Sequence, residues 1–192
     1  MPAPNPAAFD FLLHRASHPA KLFAGPVPSR DQLRLILTAA IRVPDHGKLE
    51  PWRLVVLDHA AMQRVAALAE AHAHDIGADA EKTAKARGQF DMGKLAVVVI
   101  AAPKPSDKVP PVEQLLSAGA LCFGIVTAAT AAGWGANWLS GWPSHDAAFA
   151  AAAFHCTASE TVAGIIHIGT PGKAGQDRPR PDLDRLITWA AP

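Results

Sequence analysis

Seven consecutive apolar residues, Leu95 to Ala101, place the tightest limit on how this chain folds; four of them are β-branched. A strand with one wet face alternates apolar and polar side chains, and this run has no polar position to turn outward. It belongs in the middle of a sheet covered on both faces, so the rest of the chain must supply two covering layers. Pro103 and Pro105 end the run, because proline cannot continue a central ladder.

The covering helices are legible from caps and periodicity. Phe9, Leu12 and Leu13 have helical spacing, which predicts a first helix from about Ala7 to Arg15. Ser29 and Gln32 form a capping box. Behind it Leu33, Ile36, Leu37, Ala40 and Ile41 define the clearest amphipathic helix, ending near Arg42 because Val43 precedes Pro44. A short strand, Arg53 to Leu57, is followed by Asp58 as the cap of a helix from Ala60 to about His74. The polar, alanine-rich segment from Asp75 to Arg87 reads as an exposed helix or a mobile flap, the flap candidate spanning 75–92.

Glu113 to Ala132 is long enough for five helical turns, and its small residues let a neighbour approach closely; it is expected to be buried on most sides, in part by a second subunit. Trp134 to Trp138 then reads as a strand, Ser144 as the cap of a helix reaching Phe154, Val162 to Ile168 as a strand, and Asp182 to Trp189 as a last helix. Helices and strands interleave without a βαβ repeat, which points to α+β architecture. A length of 192 residues with 49% hydrophobic content suits a single domain over the whole chain, 1–192.

Several functions are excluded. A net charge of +1 provides no basic face for nucleic acid or anionic lipid. No glycine-rich dinucleotide or triphosphate fingerprint occurs, and no nucleophile elbow. His72 and His74 point to different faces of their helix, and His155 beside Cys156 lacks a second pair, so no metal site is expected. Cys122 and Cys156 sit in apolar surroundings and are expected as thiols in a reducing compartment. Met1 to Ala8 lacks a basic region followed by an apolar core, and Leu115 to Leu139 is too weakly apolar for a membrane span, so a soluble cytoplasmic protein is the expectation.

Three anion-capable clusters remain: Arg15-Ala16-Ser17, the stiff polar stretch Arg42 to Trp52, and Arg178-Pro179-Arg180. A fourth stretch, Gly133 to Trp142, combines glycines with three tryptophans. Convergent arginines suit a phosphate and an aromatic wall suits a planar ring, though the arginines alone are equally readable as surface charge, the tryptophans alone more readily as core, and spacing does not show that they converge.

Taken in order, Arg15-Ala16-Ser17, Arg42-Val43-Pro44-Asp45-His46, Pro51-Trp52, Ser117-Ala118-Gly119-Ala120, Gly133-Trp134-Gly135, Trp138-Leu139-Ser140-Gly141 and Gly169-Thr170-Pro171 resemble the nitroreductase family of FMN-dependent oxidoreductases. The resemblance runs from about Phe9 to Trp189. It implies an α-β-α sandwich with a mixed, largely antiparallel central sheet and an obligate homodimer that holds FMN at the subunit interface. By the same resemblance, Arg15, Ala16 and Ser17 meet the flavin phosphate from one subunit, with Lys21 a further basic position and Arg178 and Arg180 the late basic residues of a phosphate-side loop, 170–181. Arg42 and His46 reach that flavin from the other subunit, and Trp138, Leu139 and Ser140 lie along its ring. Ala16 and Leu139 stand where relatives often carry arginine, which removes positive charge that Arg178 and Arg180 are expected to offset.

The implied activity is ping-pong transfer of reducing equivalents from NADH or NADPH to an electron-poor acceptor such as a nitroaromatic or quinone. No side chain is assigned as acid or base, and backbone amides near Lys48 and Leu49 are candidates for the flavin's pyrimidine edge. Two other readings keep the fold: a flavin-binding or storage protein with little turnover, and a flavoenzyme running dehalogenation or oxygen-dependent chemistry.

Overall fold

The computed structural model describes residues 3–172 and 179–190. One sheet holds β1 (Trp52–Leu57), β2 (Leu95–Ala101), β3 (Gly135–Leu139) and β4 (Thr161–Gly169) in the order β1-β2-β4-β3. Every pair among the described residues is antiparallel, so the antiparallel part of the expected sheet accounts for all of them. All seven β2 residues are buried, as a strand without polar positions requires.

The two faces of the sheet carry separate cores. Leu95, Val97, Val99 and Ala101 pack with residues of α2 (Arg30–Ala40) and α5 (Pro111–Ala131), while Ala96, Val98 and Ile100 pack with α3 (His59–Asp75), α4 (Ala80–Asp91) and α7 (Ala147–Phe154). Two short helices complete the chain: α1 (Pro6–His14), with no buried residue, and α6 (Trp142–His145). The capping box at Ser29 and Gln32 is formed from both directions, and Asp58 accepts from the Ala61 N–H, so both helix starts lie where the sequence puts them.

Of the two readings of the polar segment after Asp75, the helix is present as α4: Asp79 caps it, and Thr83, Ala86 and Phe90 form a narrow buried stripe against α3 that its polar composition hides. Two other expectations need correction. Ser144 does not cap the alanine-rich helix. Asp146 does, accepting from the Phe149 N–H, because Pro143 starts the separate helix α6 that contains Ser144. The last helix shrinks to one 3₁₀ turn, Leu183–Arg185. So short a helix needs a packed face to persist, and Leu183, Leu186, Ile187 and Trp189 (87% exposed) find none among the described residues. Within the single chain, helix α5 buries one face.

That buried face of α5 includes Ser117, Ala118, Leu121, Cys122 and Ile125, and packs on β2, β3 and β4. A Cβ on Gly124 would come 2.7 Å from the Ala40 carbonyl oxygen, so α2 crosses α5 backbone to backbone. The opposite face presents Val112, Leu115, Leu116 and Phe123 to solvent. Among the described helices, α5 alone is long and apolar enough to cross a membrane by length and composition.

Candidate functional site

The stretch after α2 is built around Asp45. Its carboxylate accepts from the backbone N–H of Leu49 at 3.1 Å and of Glu50 at 2.9 Å, and its carbonyl accepts from the Lys48 N–H at 3.2 Å. Gly47, Lys48 and Glu50 all have positive φ, at 73°, 55° and 48°. For the two non-glycine residues this conformation costs on the order of 1 kcal/mol each and persists only where neighbours impose it. The Ser117 hydroxyl donates to the Pro44 carbonyl, and the Ala102 N–H donates to the Pro51 carbonyl at 2.9 Å, so both ends of the loop are pinned as well. The amides of Lys48 and Leu49 are therefore engaged by Asp45 rather than offered to a ligand. Arg42 is exposed, and His46 Nδ1 lies 2.8 Å from Glu113 Oε2 in the first turn of α5.

A second cluster forms at the end of α1. The Arg15 backbone caps the helix by donating to the Phe11 carbonyl at 2.7 Å. Its guanidinium lies over the Phe123 ring, 5.3 Å from the centroid, and Nη1 is buried without a hydrogen-bond partner among the described residues. A buried, unpartnered guanidinium nitrogen is uncommon because its desolvation is uncompensated. Arg180 Nη2 donates to the Leu13 carbonyl at 3.2 Å, which brings the late basic residue to the same helix end. Arg178 lies outside the described residues.

From Arg15 the chain climbs over the outer edge of β3. Ala16 is half-buried and Ser17 exposed. The His18 N–H donates to the Ala136 carbonyl at 3.2 Å, and Asn137 Nδ2 returns a bond to the His18 carbonyl at 2.7 Å. Backbone groups alternate direction along a strand, so Trp138 turns its N–H and C=O to the same edge as Ala136, and Ser140 follows the strand's end. The Trp138 indole lies against Gly164 on the α5 side, where a Cβ on Gly164 would meet its Nε1 at 2.2 Å. Leu139 points to the other face and, with Lys21, Gln89, Met92, Asn137 and His167, lines a cleft of about 280 Å³.

The structure thus joins the first and third clusters and the strand edge, and keeps the second apart. Phe123, under Arg15, and Glu113, beside His46, are ten residues apart on α5, or about 15 Å along its axis. Four contributors were not singled out from the sequence: Asp45 as loop organiser, and Gln89, Asn137 and His167 in the cleft. His167 carried a signal, a polar residue inside the apolar run of β4. Burial holds its pKa down to about 4, so the imidazole is neutral, and neither ring nitrogen has a partner among the described residues. Among the described residues no group of His, Cys, Asp or Glu side chains is arranged to hold a metal ion.

A cationic helix end that leads over an open strand edge into a cleft suits a ligand with a phosphate at one end and a planar ring at the other. On this α+β frame it is the candidate ligand site of the chain. The chain belongs to the nitroreductase family of oxidoreductases, whose family model matches residues 13–170. It is 33% identical over 183 residues to the "Putative NAD(P)H nitroreductase YdjA" of Escherichia coli (strain K12), covering 95% of this chain and 98% of that protein. A "Putative NAD(P)H nitroreductase" of Haemophilus influenzae is 34% identical over 165 residues, covering 85% and 88%. The fold is shared with the nitroreductase-like family protein of Bacillus cereus (TM-score 0.78, 20% identity, 99% and 98% covered). It is shared also with a Desulfovibrio desulfuricans putative nitroreductase solved in complex with FMN (TM-score 0.74, 23% identity, 99% and 100% covered).

Proposed function

We propose that this protein is a homodimeric FMN-dependent enzyme that uses NADH or NADPH to reduce an electron-poor acceptor such as a nitroaromatic or quinone. The observation that carries the reading is the buried, unpartnered Nη1 of Arg15 at a helix end that Arg180 also reaches. FMN, when bound, would supply the hydride and electron transfer, and a single face open in turn to nicotinamide and acceptor would make the kinetics ping-pong.

The chain's own residues bind and orient. Arg15, Ser17 and Arg180, with Arg178, hold the phosphate, and the Phe123 ring keeps the Arg15 guanidinium in place. The outward backbone groups of Trp138, and Ser140 after it, line one side of the ring, while Leu139 and Lys21 bound the cleft that receives it. Leu139 and Met92 limit water there. Ala16 contributes backbone only, and no side chain is needed as acid or base.

Arg42 and His46 belong to the flavin of the second subunit. His46 meets α5 at Glu113, about 15 Å along the axis from the Phe123 turn that carries Arg15, which supports giving it to the other flavin. The exposed apolar groups Leu115, Leu116 (67% exposed), Phe123 and Trp189 supply a surface that a second copy covers. The Glu113 contact aims His46 at that interface. Two cysteines without a disulfide suit a reducing cytoplasm, where we place the protein.

The test is direct. Purified protein should be yellow, NADH or NADPH should bleach the flavin band, and sizing should give a dimer. Arg15→Ala should weaken FMN binding about 10- to 100-fold, the loss expected for a charge-assisted hydrogen bond of roughly 1.5–3 kcal/mol. A colourless protein that takes up no added FMN refutes the reading.

A further inference from the structure

The cleft beside Leu139 has a polar floor that the phosphate and strand-edge contacts leave without a task. His167 enters it from β4 and is 1% exposed, with neither Nδ1 nor Nε2 hydrogen-bonded among the described residues. Gln89, from the last turn of α4, lines the same cleft, and its Nε2 is likewise buried without a partner among them. Asn137, a further polar residue there, already donates to the His18 carbonyl. Buried polar side chains are almost always partnered, and two unpartnered ones on one cleft mark a place where a ligand completes the bonding.

The surroundings are built to admit that ligand. Gly93, at the turn into β2, leaves the imidazole its room: a Cβ there would stand 3.2 Å from His167 Nδ1 and 1.8 Å from Met62 Cε. Met62 and Met92 are unbranched and repack easily around a planar guest. A neutral imidazole offers one N–H donor and one lone pair, and the Gln89 amide offers donors and an acceptor of its own. Such a pair matches an imide edge, where a ring N–H sits between carbonyl oxygens, and does not match a hydrocarbon edge.

We propose that His167, seconded by Gln89, binds the imide edge of the ring held in this cleft and selects rings that present one. The inference rests on the flavin reading above and extends it from the phosphate end to the ring end of the ligand.

The experiment compares FMN with N3-methyl FMN, in which the imide N–H is blocked, by fluorescence titration of the full-length protein, His167→Leu and His167→Gln. Wild type should prefer FMN about tenfold, the value of one good hydrogen bond. His167→Leu should bind FMN about tenfold more weakly and lose the preference, and His167→Gln, which keeps a donor and an acceptor, should recover most of both. The reduction potential of bound FMN should move in His167→Leu and return towards wild type in His167→Gln. Equal FMN affinity and equal discrimination in wild type and His167→Leu, with Arg15→Ala still defective, overturns this inference and leaves the flavin reading standing. A wild-type protein that binds neither flavin overturns both.

Discussion

Asp45→Ala should loosen the whole stretch from Arg42 to Trp52. The substitution removes the acceptor for the half-buried Leu49 N–H, a charge-assisted bond whose loss costs about 1.5–2 kcal/mol. It also removes the acceptor for the Glu50 N–H, which is exposed, so water replaces most of that bond and the loss is about 0.5 kcal/mol. Lys48 and Glu50 then relax from positive φ, which returns up to about 1 kcal/mol of strain but abandons the native path. The net is on the order of 2 kcal/mol, and at roughly 2–4 °C per kcal/mol for a chain of this size the melting temperature should fall by about 4–8 °C. Thermal unfolding by circular dichroism reads the stability, and an FMN titration reads the site, since Arg42 and His46 flank Asp45. Asp45→Asn, which keeps one carbonyl oxygen, should lose about half as much. A melting curve for Asp45→Ala that superimposes on wild type refutes the argument that this carboxylate imposes the loop.

Two further outcomes follow from the packing. Arg53 donates to both oxygens of Glu160 and to the Phe154 and His155 carbonyls, tying β1 to the turn before β4. The Arg53 hydrogen bonds, then the Thr157 N–H, hold the Glu160 carboxyl at about 2, below its ordinary 4.5. A folded-state pKa below the unfolded one stabilises above the unfolded value, so this contribution should be complete above pH 5 and disappear as the pH falls from 4.5 through 2. Glu160→Gln should cost about 1–2 kcal/mol at pH 6, allowing for solvent screening, and almost nothing near pH 2; urea unfolding at the two pH values tests this, and a difference independent of pH contradicts it. Gly124→Ala should destabilise by about 1–3 kcal/mol despite the better helix propensity of alanine, because its Cβ meets the Ala40 carbonyl oxygen, a backbone atom that yields only if α2 moves. A melting temperature at or above wild type would show that α2 and α5 have slack at their crossing.

Much of the frame was local and therefore legible. The capping box at Ser29 and Gln32, the Asp58 cap and the unbroken apolar run of β2 each act within a few residues of chain. Where the reading failed, a local signal had a rival nearby or lacked a tertiary partner. Ser144 and Asp146 are both good caps two residues apart, and only the path of Pro143 chose between them. The apolar pattern from Asp182 to Trp189 is genuine, yet none of the described residues covers it, and a helix that short does not stand alone.

By itself, the amino-acid sequence determined the buried central strand, the principal helices around it and, through an ordered set of short motifs, the family. Only the tertiary structure decided which motifs meet. It brought Arg180 to the end of α1 beside Arg15, held His46 about 15 Å away along α5, engaged the Lys48 and Leu49 amides with Asp45, and put His167 and Gln89 on one cleft. The reason is physical. Caps and strand periodicity depend on neighbours along the chain, whereas a binding site depends on distances between elements far apart in sequence, and those are set by how the α2–α5 crossing and the antiparallel register of the sheet pack together.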